Sequence, residues 1–249
     1  MTSIAAGTLA GDRLTRRRQL ERKATRSAFD YALGIVWSIG LWFWAIFTAV
    51  NVLANVVLAR FVLGTVEVGP GGSPQVFLFV MGIITGAGML SIHVVAGGTR
   101  ASLVRGWLLA APVIGAGFAV LTTVLVVVVG RLTTGNPIPS WDAMVGITLG
   151  GLVLGTLVWI TGISVNAGYR RWGGWRGTLT LPLVLAPVAG AFWGLQRGST
   201  SIETVAQESP LLGWGLGVAT SPLGWLIAVA MLAVAGLVMW LLVCRISID

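Results

Sequence analysis

The long apolar segments of this chain contain no charged residue. The 249 residues include 16 Lys or Arg and 8 Asp or Glu, about 10% of the chain, whereas soluble domains average about 25%. None of these charges falls within six apolar segments, which cover residues 33–58, 76–96, 106–129, 143–166, 178–195 and 222–244. Because about 20 apolar residues cross a hydrocarbon layer about 30 Å thick, the sequence predicts an all-α, polytopic membrane protein with six transmembrane helices.

Residues that carry chemistry are also scarce. Cys244, His93 and Lys23 are the single cysteine, histidine and lysine of the chain. A phosphate-binding P-loop needs a lysine followed by Ser or Thr, and a metal site needs clustered His, Cys or carboxylate ligands. Buried acids, which proton-coupled transporters typically use, are missing from the spans. We therefore expect no catalytic residue, no metal ligand and no cofactor on this chain, and an energy source on another molecule.

The basic residues lie mostly on one side of the predicted membrane. If the chain alternates sides from a cytoplasmic N-terminus, the inner segments carry 13 Lys or Arg, and the outer segments carry only Arg60, Arg131 and Arg197. This positive-inside bias predicts that both termini are cytoplasmic. Basic residues spread over several short segments form no continuous face for a duplex. The net charge of +8 therefore indicates topology, and we expect no nucleic-acid partner.

Residues 1–32 form a basic cytoplasmic segment before the transmembrane domain, which we place at residues 33–249. Residues 12–30 contain seven basic and three acidic side chains and neither Pro nor Gly, which favours a helix. Such a helix can lie along the inner leaflet with its Arg side chains near anionic lipid headgroups; the alternative is a solvated basic tail. Neither this segment nor residues 196–221 could bury a core of its own, so we expect a single membrane domain.

Polar and small residues form patterns inside the predicted spans. Thr48, Asn51 and Asn55 share one face of the first span, because steps of three and four residues do so on a helix. They either line a translocation path or hydrogen-bond a neighbouring helix. Glycine pairs spaced by four residues let helices approach closely; these are Gly82/Gly86, Gly146/Gly150 and Gly151/Gly155.

The segment between the second and third spans has strong helix-boundary signals. Gly97 and Gly98 predict the C-terminal cap of the second span. Thr99 can then cap the N-terminus of a short helix that ends at Arg105. We interpret this helix as a contact site for a cytoplasmic partner; the alternative is an ordinary turn that obeys the positive-inside rule. The candidate coupling residues are Thr99, Arg100, Ser102, Leu103 and Arg105.

The order of an aliphatic span, the sequence Gly-Gly-Thr-Arg-Ala-Ser-Leu-Val-Arg-Gly and a long Ala/Val/Leu span resembles the permease subunits of exporter-type (type 2) ABC transporters, especially from actinobacteria. Residues 169–173 (Tyr-Arg-Arg-Trp-Gly) at the end of the fourth span fit the same layout. The resemblance covers the whole chain in layout but only about ten residues at motif level. Ala101 departs from it, since many relatives have a second Arg after the first.

The resemblance has specific implications. Residues 99–105 would be the coupling helix on an ATPase, residues 12–30 the interfacial helix, and residues 196–221 short outer-side helices. The partners would be a cytoplasmic ABC ATPase, which binds ATP and Mg²⁺, and a second permease chain, as a homo- or heterodimer. The location would be the plasma membrane of a bacterium.

Three functions are compatible with these observations. The first is an ABC export permease that moves an apolar or amphipathic solute outward with ATP hydrolysed by its partner. The second is a structural or regulatory membrane subunit that transports nothing. The third is a passive channel or lipid-facing scaffold. An associated ATPase would distinguish the first from the other two.

Overall fold

The computed structural model describes residues 3–61, 72–133, 140–197 and 222–245, and these ranges form six helices without a strand among them. Five of the helices are long and apolar enough to cross a membrane. These observations confirm an all-helical fold over the described ranges, with the character of a multi-pass membrane protein. The helices are α1 (Ser3–Phe61), α2 (Ser73–Val95), α3 (Arg100–Thr133), α4 (Trp141–Leu179), α5 (Leu181–Arg197) and α6 (Pro222–Cys244).

Helices α1 and α3 each join two segments that the sequence predicts as separate. In α1, the basic residues 12–30 and the first span form one uninterrupted helix. In α3, residues 100–105 and the third span are likewise continuous. The structure therefore corrects the prediction of a separate short helix after Thr99: the helix continues through Gly106. The lack of a side chain at Gly106 lets α3 pack closely on Ala28 of α1 at this point.

The structure shortens the predicted fifth span, residues 178–195, at its start. Gly173 has a left-handed φ of 75° and bends α4, so residues 174–179 form a short continuation. Thr180 then caps this continuation, and α5 begins at Leu181. The apolar part of α5, Leu181–Leu195, is about 22 Å long at 1.5 Å per residue. This length is below the roughly 30 Å of a hydrocarbon layer, and α5 is the one helix of the described ranges that falls short of a full span. The short outer helices expected at residues 196–221 lie almost wholly outside the described residues.

Helix α4 is the most buried helix and contacts α2, α3, α5 and α6. Its glycines lie directly against the backbone of neighbouring helices. The Cα of Gly162 lies 3.1 Å from the position that a Cβ on Gly82 of α2 would take, and the Cα of Gly115 of α3 lies 3.2 Å from the position of a Cβ on Gly155. These contacts confirm that the predicted glycine positions Gly82 and Gly155 allow close helix approach. Gly86 also lies against Ile163, and Gly151 lies against Ala119. Gly146 and Gly150 are buried in α4, and their close approach to another helix stays a prediction.

Helix α1 runs parallel to α3. Ala28 meets Gly106 near one end, and the Trp37 ring meets Gly117 further along. Beyond these contacts, α1, α2 and α3 share an aromatic cluster in which the Phe43 and Phe77 rings stack with centroids 4.1 Å apart. The cluster comprises Trp37, Phe43, Trp44, Phe47, Phe77 and Phe118.

One end of the bundle collects the basic residues, and we refer to it as the basic end. The ends of α2, α4 and α6 and the start of α3 converge there, where Leu90, Trp107, Ala167 and Val243 surround one small space. The start of α3 also packs on α1 near Thr25. The following basic residues therefore belong to the same end: Arg18, Arg22, Arg26, Arg100, Arg105, Arg170, Arg171, Arg176 and Arg245.

We predict that Gly82→Ala destabilises the bundle and that Gly88→Ala does not. A Cβ on Gly82 would collide with the carbonyl oxygen of Trp159, whereas a Cβ on Gly88 of the same helix meets nothing within 4 Å. The expected cost is about 1–3 kcal/mol for overpacking, against a neutral or slightly stabilising change at Gly88. Unfolding midpoints of the two variants in mild detergent test this. Equal midpoints would contradict the helix packing described here.

Candidate functional site

The turn between α2 and α3 is closed by a Schellman motif. Gly97 has a φ of 83°, a conformation that favours glycine. Its N–H donates to the Val94 carbonyl at 3.0 Å, and the Gly98 N–H donates to the His93 carbonyl at 2.9 Å. This pair of bonds defines the Schellman cap. The prediction that Gly97 and Gly98 end the second span is confirmed.

Thr99 and Ser102 cap the start of α3 reciprocally. The Ser102 N–H donates to Thr99 Oγ1 at 3.1 Å, and the Thr99 N–H donates to Ser102 Oγ at 3.1 Å. This arrangement is that of a capping box, with Ser in the position that Glu or Gln usually holds. The prediction that Thr99 is the N-cap is confirmed, and the N–H groups of Thr99 and Ser102 both have an acceptor.

His93 joins the end of α2 to the start of α3. Its Nε2 lies 2.9 Å from Ser102 Oγ, and the Ser102 hydroxyl donates its proton to the Thr99 carbonyl at 2.7 Å. Since a hydroxyl has one proton, Ser102 accepts from His93, and the Nε2 atom carries the hydrogen. A Cβ on Gly98 would collide with the His93 ring, so this glycine is required for the contact. His93 therefore holds a neighbouring helix.

The five predicted coupling residues differ in their accessibility. Ser102 and Leu103 are only 2% and 0% exposed. Thr99 and Arg105 are exposed, and Arg100 is half-buried. A partner protein can therefore contact Thr99, Arg100 and Arg105, whereas Ser102 and Leu103 act inside the chain by fixing the start of α3. The sequence did not reveal this division, because the buried face of α3 depends on where α1, α2 and α4 pack.

Arg170 forms a second connection near the turn. Its guanidinium group donates to the Ala87 carbonyl at 2.6 Å and to Ser91 Oγ at 3.3 Å, which ties the end of α4 to α2. The neighbouring Arg171 lies 4.7 Å from the ring centre of Trp172, within the range of a cation–π contact. The sequence placed these residues in a turn but did not reveal the hydrogen bonds of Arg170, because its partners Ser91 and Ala87 lie 79 and 83 residues earlier in the chain.

The predicted polar stripe on α1 faces the interior of the bundle. Asn51 is 6% exposed and donates to the Phe47 carbonyl at 2.8 Å. Thr48 is half-buried, and the Asn55 side chain is outside the described part of the chain. The opposite face of α1 is apolar and exposed. Its exposed residues are Ile39, Trp42, Ile46, Val50 and Leu53. The burial of Asn51 favours the packing interpretation over the lining of a path.

Within the described ranges, no three His, Cys, Asp or Glu side chains lie close enough to hold a metal ion. The side chains that the structure brings together at the turn are hydrogen-bonding and cationic groups instead. They can position helices and contact an anionic surface.

Comparison with known proteins gives no match to a family model, to a curated protein or to a solved structure. The resemblance to export permeases therefore depends on the residues of this chain.

We predict that Thr99→Ala loosens the first turn of α3. Loss of an N-cap side chain costs about 0.5–2 kcal/mol, and it removes the acceptor of the Ser102 N–H. Hydrogen exchange of the Ser102 amide should accelerate roughly tenfold, while Thr99→Ser restores the acceptor and the slow exchange. Ser38→Ala is the matched control, since its hydroxyl also makes a hydrogen bond to the backbone, to the Ile35 carbonyl, but lies in the middle of α1. Unchanged exchange in Thr99→Ala would contradict the capping role.

Proposed function

We propose that this chain is the transmembrane permease subunit of an ABC export system, which moves an apolar or amphipathic solute outward with ATP hydrolysed by a cytoplasmic partner. Its other partner is a second permease chain, identical or homologous. The observation that supports the proposal best is the turn between α2 and α3. It is short and held by hydrogen bonds, and it presents Arg100 and Arg105 at the basic end of the bundle.

The turn between α2 and α3 is held firmly enough to transmit a movement of a bound partner to the helices. Its two caps and the His93 contact with Ser102 hold the end of α2 and the start of α3 together. Because α3 is continuous from Arg100 to Thr133, a movement imposed at the turn reaches the helix contacts with α1 and α4. A flexible loop would absorb such a movement instead.

The proposal includes an orientation. The basic end faces the cytoplasm, where Lys and Arg are enriched in membrane proteins. Helices α5 and α6 provide the fifth and sixth crossings, so both termini lie on the cytoplasmic side. Helix α5 packs antiparallel to α6, with Gly190 near Met231 and Gly194 near Ile227. A short apolar helix such as α5, packed beside the full-length α6, can cross a bilayer that thins locally around it.

The solute path belongs to the complete assembly in this proposal. Where α2, α3 and α4 meet, the space is only about 10 Å³, which holds about one water molecule. A solute therefore cannot pass at this junction. The exposed apolar face of α1 (Ile39, Trp42, Ile46, Val50 and Leu53) is available to a second chain or to lipid.

The same close packing supports a second candidate, a structural or regulatory membrane subunit that transports nothing. Isolation from native membranes in mild detergent separates the two. A co-purified ATPase supports the permease. Membrane subunits without an ATPase support the structural role and contradict the permease.

We predict that Arg100→Glu uncouples the ATPase without removing this chain from the membrane. Reversal of a charge at a contact replaces attraction by repulsion and costs several kcal/mol, so permease-dependent ATP hydrolysis should fall at least about tenfold. Arg100→Lys should retain most of it. Arg131→Glu, the same charge change at the other end of α3, is the matched control. Normal hydrolysis in Arg100→Glu would show that the coupling assignment is wrong.

A further inference from the structure

A groove of about 930 Å³ lies between α1 and the start of α3 at the basic end. It begins beside the contact of Gly106 with Ala28, where the two helices touch. Its lining combines guanidinium groups with leucine side chains. The residues that matter most here are Arg18, Arg22, Arg26, Arg105, Leu108 and Leu109.

The charge of the groove favours an anion. Arg18, Arg22 and Arg26 follow one another at four-residue steps, so they share a face of α1, and Arg105 approaches from α3. Glu21 is the one carboxylate in the lining. Its Oε1 lies 3.5 Å from Nε of Arg17, a residue that does not line the groove. Within the described part of the chain, ion pairs involve Arg17 and Arg26, and none involves Arg18, Arg22 or Arg105. Three guanidinium groups are thus available to a ligand.

The floor of the groove favours a hydrocarbon chain. Leu108 and Leu109 remain 37% and 58% exposed, although they belong to an apolar span. The exposed apolar surface continues along α3 through Val113 and Val120. Phe29 of α1 closes the other side of the floor. Cationic groups therefore lie at one end of an apolar track that leads into the membrane.

We propose that this groove binds one anionic membrane lipid. Its phosphate lies among Arg18, Arg22 and Arg105, which suit a phosphate because a guanidinium group donates two parallel hydrogen bonds. Its acyl chain lies along Leu109 and Val113. An acidic protein segment would satisfy the arginines but leave these leucines without an apolar partner, and the leucines lie on α3 where hydrocarbon reaches them. The proposal is independent of the ATPase partnership.

The test compares two charge-matched double variants of the full chain. Arg18→Gln with Arg22→Gln removes two groove cations. Arg16→Gln with Lys23→Gln removes two cations from the opposite face of the same helix, since successive residues are about 100° apart. Each protein is delipidated in neutral detergent and titrated with dioctanoyl phosphatidylglycerol or dioctanoyl phosphatidylcholine, and bound lipid is counted by native mass spectrometry.

We expect the unmodified protein and the control variant to bind one phosphatidylglycerol in preference to phosphatidylcholine. The groove variant should bind phosphatidylglycerol at least roughly tenfold more weakly, since each cation near an anionic lipid contributes to the binding free energy. Arg18→Lys with Arg22→Lys should keep much of the affinity, which distinguishes loss of charge from misfolding.

Several outcomes would overturn the proposal. Equal weakening in the two double variants would indicate non-specific attraction by the basic helix. Equal binding of glycerol phosphate, which has no acyl chains, would indicate an anion site without a lipid. Displacement of bound phosphatidylglycerol by a short poly-Glu peptide at similar concentration would indicate a protein ligand.

Discussion

Close contact between backbones at glycine is the constraint on which the rest of this structure depends. Helices in lipid gain little from the hydrophobic effect when they associate, so they depend on packing of small residues. Here Gly162 of α4 brings the backbone of α2 close, and Gly155 of α4 brings the backbone of α3 close. Because α2 and α3 are fixed against the same helix, the four residues between their ends have little freedom. The ordered turn with His93 and Ser102 follows from this packing as much as from its own caps.

The packing also gathers cations that are far apart in the sequence. Arg22, Arg105 and Arg170 come from three helices and reach one end of the bundle because α1 starts there, α3 starts there and α4 ends there. Alternation of helix direction is enough to produce this arrangement from short basic segments. Arg170 also has a structural role, since its hydrogen bonds to Ala87 and Ser91 hold α4 against α2.

The sequence was sufficient where a feature depends on local geometry. Apolar length predicted the helices, Gly97 and Gly98 predicted the cap of α2, and Thr99 predicted the start of α3. It was insufficient where a feature depends on which helices become neighbours. The burial of Leu103, the contact of Gly106 with Ala28 and the bonds of Arg170 all involve partners that no spacing rule identifies. The fifth span shows a third case: apolar composition places its start at residue 178, but residues 178–179 still belong to the part of α4 beyond the bend at Gly173, and Thr180 caps that part.

Arg105 connects the two proposals made for this chain. It is exposed beside the turn that we assign to an ATPase partner, and it also lines the groove that we assign to a lipid. A lipid phosphate bound between Arg22 and Arg105 would join α1 to the start of α3 in addition to their contact at Gly106. The resting position of the turn would then depend on the lipid as well as on the protein. Because Arg100 lies outside the lining of the groove, coupling and lipid binding can be altered separately in this chain.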